Sequence, residues 1–288
     1  LEYTTASTTG YFNTIGGNPS TKPFSPYDYE EYSAADNGGS VYFDGSGDYL
    51  DIAGSTSLDL DGTNWTIEGW VYRTGTGSAH TFVNTASPHA TLIISLNRTN
   101  NGDTQVFTGN GSSWVNTSAI NSGTNTWSHI ALVKNGNSIY LYHNGNSVGS
   151  STDVPSGFTG NVRVGAYEDA GSSGQHLTGY VSDFRVTKSA VYSGVFTPPS
   201  GPLTATGGTY PSTTNVDTSI TAALHIKGTD ASIIDKSQVN NIDLGSTSIV
   251  GNSTTKWSGA NSIYINSMSN NSDIITIPAG VLDASKPF

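Results

Sequence analysis

The sequence predicts an all-β protein, a two-sheet antiparallel jelly-roll sandwich followed by a second, partial unit of the same kind. Three observations lead to this prediction. Charged residues make up only 11% of the 288-residue chain, whereas Gly, Ser, Thr and Asn are abundant and strong helix formers are scarce. Short apolar runs alternate with turn-forming residues along the chain. One long segment near the front also recurs at the end.

The recurring segment indicates a tandem array of whole domains. Residues 40–44 (Ser-Val-Tyr-Phe-Asp) return as 262–266 (Ser-Ile-Tyr-Ile-Asn), and residues 17–22 return as 251–256. A period of this length is too long for a solenoid repeat or a propeller blade. We therefore divide the chain into a connecting segment at 1–37, a jelly-roll domain at 38–202, a linker at 203–217 and a partial second unit at 218–288.

The strands of the domain are predicted in order. Residues 41–43 and 49–52 flank a turn rich in Asp and Gly, and 65–72 carry large side chains on both faces, as inner strands do. Runs at 91–96, 104–107, 127–134, 138–143 and 147–148 follow. Asn135-Gly136 and Asn144-Gly145 separate the last three, which predicts a three-stranded meander with type I′ turns. Closing strands are expected at 162–165 and 179–186, and a helical turn at 188–194.

The second unit is too short to close a two-sheet core by itself. We expect the chain to be part of a longer polypeptide, or residues 218–288 to pack against the first domain or a neighbouring chain. A more specific hypothesis is that this unit supplies a strand to the first domain. In that case Leu224 to Ile226 should form ladder hydrogen bonds with the sheets of residues 40–187.

Composition disfavours several classes of partner. The formal net charge is −11 with only 11 Lys and Arg residues, so nucleic acid and anionic membranes are not expected ligands. No apolar run is long enough for a membrane span, and no membrane insertion is expected. The absence of cysteine excludes disulfides and thiolate chemistry.

The carboxylates do not predict an enzyme. Retaining glycanases place two carboxyl groups about 5–5.5 Å apart, which requires paired acidic residues on neighbouring positions. The chain has five glutamates, and only Glu68 lies in a predicted strand, with no second carboxylate at strand spacing. We therefore expect no catalytic residues.

Four motifs in order resemble a known family. Residues 40–50, 65–71, 127–133 with 141–145, and 179–186 look like the LamG-like, concanavalin A-like lectin/glucanase jelly roll. A narrower resemblance lies in residues 24–27, 190–199, and 223–226 with 234–237. These are similar to tandem LamG-like units in large structural proteins of marine tailed phages, cyanophages among them.

The resemblance implies a structural calcium site, since some LamG-like domains hold Ca²⁺ with clustered aspartates. Asp44, Asp48 and Asp51 lie close together on a Gly-rich turn, and Asp183 on a closing strand could approach them. The alternative is that aspartates in such turns bond their own backbone. Both interpretations stay open at this point.

Sugar binding would require exposed aromatic and polar side chains on rim loops. Trp114 is one candidate, and Tyr167, Glu168 and Asp169 with His176 form a second group in a Gly- and Ser-rich stretch. Trp65, Trp70 and Trp127 are expected in the core because they lie within apolar strands.

Two functions follow from the resemblance. The first is a non-enzymatic structural or display protein of a virion surface, a fibre, spike or decoration, which associates with other subunits and forms a homo-oligomer. The alternative is a glycan-binding adhesin or receptor-binding module that recognises a cell-surface glycan. The expected location is the virion surface, or else the extracellular or bacterial cell surface.

Overall fold

The fold is seen in a computed structural model of the chain. It describes residues 12–17, 19–22, 26, 39–52, 56–77, 79–86, 90–98, 103–108, 113–117, 124–158, 162–169, 172–228, 233–235, 249–257 and 260–265. Their only helical element is a 3-10 turn at Thr56–Leu58. No helix in these ranges is long and apolar enough to cross a membrane.

These ranges contain 22 strands. In chain order they are β1 (Phe12–Gly16), β2 (Ser20–Lys22), β3 (Ser40–Asp44), β4 (Tyr49–Ile52), β5 (Trp65–Arg73), β6 (His80–Ala86), β7 (Ala90–Leu96), β8 (Thr104–Thr108), β9 (Ser113–Thr117), β10 (Trp127–Asn135), β11 (Ser138–His143), β12 (Asn146–Ser151), β13 (Val162–Val164), β14 (Tyr167–Asp169), β15 (Ser172–Gly174), β16 (Thr178–Thr187), β17 (Leu203–Thr204), β18 (Gly207–Gly208), β19 (Ala222–Gly228), β20 (Ile233–Asp235), β21 (Ile249–Trp257) and β22 (Ala260–Ile265).

Two antiparallel sheets form the sandwich. The seven-stranded sheet has the order β1-β4-β13-β6-β7-β8-β9. The nine-stranded sheet has the order β12-β11-β10-β5-β16-β19-β20, with β3 also pairing β16 and β2 pairing β3. Consecutive strands such as β3 and β4 lie in different sheets, as in a jelly roll. The predicted all-β, two-sheet architecture is confirmed.

The core lies between the two sheets. Successive side chains on a strand face opposite sides, so alternate residues point inward. On β5 these are Trp65, Ile67 and Val71. Phe82 on β6 meets Phe184 on β16 across the core, with ring centroids 5.7 Å apart. Each such buried side chain stabilises the fold by about 1.5–3 kcal/mol.

The predicted meander is present as β10, β11 and β12, and the two turns differ in detail. Asn144 and Gly145 have φ of 48° and 78°, as a type I′ turn requires. In the first hairpin Asn135 pairs with Ser138, so the loop is Gly136-Asn137 and only Gly136 has positive φ. The first turn is therefore shifted by one residue from the prediction and is not type I′.

Strand β19 completes the nine-stranded sheet. Its residues pair with β16, Leu224 opposite Val186 and Ile226 opposite Phe184. Leu224 and Ile226 belong to the core cluster. The strand-supply hypothesis is confirmed within one chain. The first compact unit thus extends past β20, beyond the boundary predicted near residue 218, and β21 and β22 belong to a second unit.

One segment contains strands that were not predicted, and one local prediction was wrong. The connecting segment contains β1, which pairs with β4, and β2, which pairs with β3. Both strands are short, with five and three residues, and they pair through main-chain hydrogen bonds. Residues 188–194 form bends and a bridge between Tyr192 and Val216 instead of a helical turn.

Candidate functional site

The nine-stranded sheet has an outer face, opposite the core, that is partly covered by residues 188–221. We call this stretch the covering segment. It forms a second apolar cluster with side chains of β10 and β11, whose buried members are Ala131, Val133, Tyr142, Val191, Tyr192, Phe196 and Ile220. The rings of Tyr192 and Phe196 are stacked, with their centroids 3.6 Å apart. This part of the outer face is therefore closed to a ligand.

Glu68 lies beneath the covering segment and is fully buried. Arg185 donates to its Oε1 from Nε at 2.9 Å and from Nη2 at 2.6 Å. Tyr192 donates from its hydroxyl to Oε2 at 2.5 Å. Nε2 of His129 lies 3.3 Å from Oε2, an electrostatic contact outside good hydrogen-bond geometry.

These partners define the chemistry of Glu68. Burial alone would raise the pKa of its carboxyl group, but the charge of Arg185, followed by His129 and Tyr192, lowers it to about 2. A carboxylate that is ionised, paired and out of reach of solvent cannot exchange protons with a bound sugar. Glu68 therefore has a structural role.

Arg185 ties the same cluster to the covering segment. Its Nη1 donates to the carbonyl of Thr204 at 3.0 Å and to that of Gly207. Its Nη2 donates to the hydroxyl of Tyr210 at 3.1 Å. The covering segment is thus held by apolar packing and by one buried ion pair.

The aspartates predicted to bind calcium are engaged elsewhere. Asp48 accepts a hydrogen bond on Oδ2 from the Asp44 N–H at 2.9 Å, and Oδ1 of Asp44 accepts from the Ser46 N–H at 2.6 Å. Asp51 forms a bidentate ion pair with Arg163, at 2.5 and 2.6 Å. The turn aspartates thus bond their own backbone, the alternative that the sequence left open.

Asp183 lies in the other sheet. It is buried, accepts from the Leu203 N–H at 3.3 Å, and its Oδ1 lies 3.2 Å from Nε2 of His225. Over the part of the chain that the structure describes, no three His, Asp or Glu side chains are close enough to hold a metal ion. The four aspartates therefore do not form a common site, and calcium binding by this protein stays a prediction.

The second group of predicted ligand residues forms a hairpin. Tyr167, Glu168 and Asp169 make up β14, which pairs with β15. His176 follows two residues after β15, and Tyr167 and His176 are half-buried. The hairpin follows β13 in the chain and lies beside β6. The structure thus places these four residues in one stretch of backbone.

The hairpin adjoins loops at one end of the sandwich. We call the described residues 74–77, 79–80, 97–98 and 174–177 the rim. The Asn97 side chain donates from Nδ2 to the Gly77 carbonyl at 2.7 Å, and the Ala79 N–H donates to the Asn97 carbonyl at 2.9 Å. Ala79, Asn97 and Gln175 have φ of 59°, 52° and 50°. Such conformations are strained for residues other than glycine and concentrate at functional sites.

Three buried side-chain atoms of histidine and glutamine residues in the rim have no hydrogen-bond partner among the described residues. They are Nε2 of His80, Oε1 of Gln175 and Nδ1 of His176. His80 and His176 are in contact, since Nδ1 of His80 lies 3.1 Å from the carbonyl oxygen of His176. Unpaired buried polar groups are costly, and a ligand that pairs them gains that energy.

The surroundings of His80 favour the neutral form of its imidazole. Burial lowers the pKa of its imidazole, and the charge of Arg73 lowers it further, while the carbonyls of His176 and Gly77 act in the opposite direction. Sequence reasoning identified His176 and missed His80 and Gln175. Both lie in stretches rich in Gly and Ser, where nothing in the pattern marks a contact between residues so far apart in sequence.

Trp114 lies away from the rim. It is on β9, the edge strand of the seven-stranded sheet, in register opposite Phe107. Strands β7 and β8 separate it from β6, beside which the hairpin emerges. The two groups of predicted ligand residues therefore do not form one site.

Aromatic side chains also cross the uncovered part of the outer face. Tyr42, Tyr180, Tyr72 and Trp127 lie opposite one another on four adjacent strands, with neighbouring ring centroids 5.0–5.9 Å apart. All four are half-buried. The prediction that Trp127 and Trp70 are core residues was wrong, because both face outward, whereas Trp65 is in the core as expected.

A family model describes much of this chain. The model Laminin_G_3, described as the concanavalin A-like lectin/glucanases superfamily, matches residues 44–193, just over half of the sequence. Among curated proteins, no sequence matches significantly.

Solved structures give distant likenesses. A putative carbohydrate binding protein from Bacteroides ovatus is 16% identical, with a TM-score of 0.48, over 67% of this chain and 52% of its own. Domain 4 of AbnA, a GH43 extracellular arabinanase from Geobacillus stearothermophilus, solved with arabinotriose, is 19% identical, with a TM-score of 0.44, over 63% and 81%. Mouse laminin alpha1 domains LG4-5 are 18% identical, with a TM-score of 0.40, over 51% and 40%. The chain thus spans about half the length of the Bacteroides protein.

Proposed function

Because the chain belongs to the concanavalin A-like lectin/glucanases superfamily, we propose that it is a non-enzymatic glycan-binding module. The ligand site is the rim together with the β14–β15 hairpin. The observation that carries the proposal is the set of unpaired buried atoms on His80, Gln175 and His176. Sugar hydroxyl groups both donate and accept hydrogen bonds and could pair such atoms.

Tyr167 supports the same location. It is half-buried on β14 and lies in register opposite Gly174. Because glycine has no side chain, the cross-strand neighbour does not cover the Tyr167 ring. Aromatic rings pair an apolar face with a polar hydroxyl, a combination suited to a sugar ring.

A glycan array probed with the full chain tests this function. We expect binding that Tyr167→Ala and His176→Ala reduce strongly and Trp114→Ala leaves unchanged, because Trp114 lies on a distant edge strand. Loss of binding in Trp114→Ala alone would move the site to that edge. A chain that bound no glycan on an array of broad composition would refute the function.

A structural role on a virion surface is the second candidate. The observation that favours it is β19, which lies just before the second copy of the repeat yet completes the sheet of the first unit. Repeated units in one chain suit a fibre or spike, with the location at the virion or cell surface. Detection of the protein in purified virus particles by mass spectrometry would support this role. Its absence from those particles would refute it.

Calcium is a separate proposal, restricted to the turn of Asp44 and Asp48. Binding of Ca²⁺ there would raise the melting temperature of the wild-type chain and not that of Asp44→Asn. Equal melting temperatures in Ca²⁺ and in EDTA would dismiss the proposal.

A further inference from the structure

The dipeptide Asn-Gly occurs in both turns of the meander formed by β10, β11 and β12, and it is chemically reactive. The main-chain nitrogen of the glycine, after losing its proton, attacks Cγ of the asparagine side chain. A C–N bond forms, the bond from Cγ to Nδ2 breaks, and a proton returns to the departing nitrogen, which leaves as ammonia. Water then opens the succinimide ring to aspartate or isoaspartate. Because the two groups must turn towards each other, the fold controls the rate.

In the second turn, Asn144 and Gly145 are held on both sides of the reacting groups. Oδ1 of Asn144 accepts from the His129 N–H at 2.8 Å, and the Asn144 N–H donates to the His129 carbonyl at 2.8 Å. The Gly145 carbonyl accepts from the Phe196 N–H at 3.1 Å. The Phe196 carbonyl also lies so close to Gly145 that no Cβ would fit there. The asparagine side chain and the glycine nitrogen therefore cannot meet without breaking these contacts.

In the first turn, Asn135 and Gly136 are less restrained. Asn135 is exposed at the end of β10, and within the described ranges nothing donates to its side chain. An added Cβ at Gly136 would meet nothing within 4 Å, so this turn is not packed against another segment. Asn135 pairs with Ser138, and the Gly136 N–H donates to Oδ1 of the exposed Asn64 at 2.9 Å. A local opening of this strand end is enough to release both contacts.

We propose that Asn135 is a site of spontaneous deamidation, that Asn64 slows the reaction by holding the Gly136 N–H, and that the covering segment protects Asn144. Each event at Asn135 adds a negative charge to the turn. The isoaspartyl form also adds a methylene group to the main chain between β10 and β11, where the loop has only two residues. Modified turns therefore accumulate as the chain ages. This inference is independent of the proposed glycan-binding function.

The test is peptide mapping by mass spectrometry after the full chain has been incubated in warm, mildly alkaline buffer. We expect deamidation at Asn135 to be at least about tenfold faster than at Asn144, because opening a hydrogen bond costs up to about one factor of ten. Asn64→Ala should raise the Asn135 rate severalfold. Phe196→Ala should raise the Asn144 rate and leave the Asn135 rate unchanged.

The urea-unfolded wild-type chain is the matched control. Unfolding removes all these contacts, and both asparagines precede glycine, so the two rates should become similar. Thermal unfolding shows whether Phe196→Ala folds, and Asn64→Ala, which changes an exposed side chain, provides the deciding comparison if it does not. Equal rates at Asn135 and Asn144 in the folded chain, or the same difference in the unfolded chain, would overturn the inference. An Asn135 rate that Asn64→Ala left unchanged would overturn the role of Asn64.

Discussion

The guanidinium of Arg185 on β16 lies against the carboxylate of Glu68 directly opposite on β5, joined by two hydrogen bonds in a place without solvent. The pair is the polar centre of a face that is otherwise closed by apolar packing. It explains why the one glutamate in a central strand is structural, and it makes the covering segment part of the fold.

Replacing only one residue of the Glu68–Arg185 pair should destabilise the fold strongly, whereas replacing both should destabilise it little. Glu68→Leu leaves a buried, unpaired guanidinium and should lower the free energy of unfolding by about 3–5 kcal/mol. The double variant Glu68→Leu with Arg185→Met should recover most of that loss. Urea denaturation measures both. If the double variant were as unstable as the single one, the hydrogen bonds to the covering segment would matter more than charge.

Acid should destabilise the fold through Glu68. Its pKa in the folded state, about 2, lies below its ordinary value of 4.5, so the stabilisation is complete above about pH 4.5 and is lost as the pH falls towards 2. Unfolding free energies measured across this range should fall more steeply for the wild type than for Glu68→Gln. Parallel curves would show that other carboxyl groups dominate.

Two glycines in neighbouring hairpin turns should differ in their tolerance of a side chain. Gly136 and Gly145 both have positive φ, at 61° and 78°. A Cβ at Gly136 meets nothing within 4 Å, whereas one at Gly145 would collide with the carbonyl of Phe196 in the covering segment. Gly136→Ala should cost about 1–2 kcal/mol from backbone strain alone. Gly145→Ala should cost clearly more in the same thermal unfolding measurement.

Strand β19 should contribute to the stability of the first unit. Leu224 is fully buried in the core, and Leu224→Ala should lower the free energy of unfolding by about 2–5 kcal/mol. Val195, which is 57% exposed, provides the control, with a change within about 0.5 kcal/mol for Val195→Ala. A negligible effect of Leu224→Ala would mean that the sheet is complete without β19.

The pattern of apolar and turn-forming residues predicted those strands that are set by residues close together in the sequence. The meander followed from Asn-Gly pairs between apolar runs, and β19 followed from the repeat. Pattern could not decide which face of a strand points inward when both carry large groups, so Trp65 was placed correctly and Trp127 was not. It also missed the short strands β1 and β2, which pair with β4 and β3.

The site was less predictable than the fold. Tyr167 and His176 were predicted as ligand residues because aromatic and polar residues stood out in a Gly-rich stretch, and their role in binding stays a prediction. His80 and Gln175 were not found, since their role depends on positive-φ loops and on contacts between distant segments. The buried cluster around Glu68 was missed for the same reason, because its members come from three strands and the covering segment.

The central claim, that a glycan binds at the rim, is tested most directly by imidazole NMR during a titration with a neutral glycan that binds on the array. The nitrogen resonances of His80 and His176 should shift progressively with ligand, while those of His143 and His225 stay in place. Glycan binding that left both rim histidines unperturbed would contradict the account.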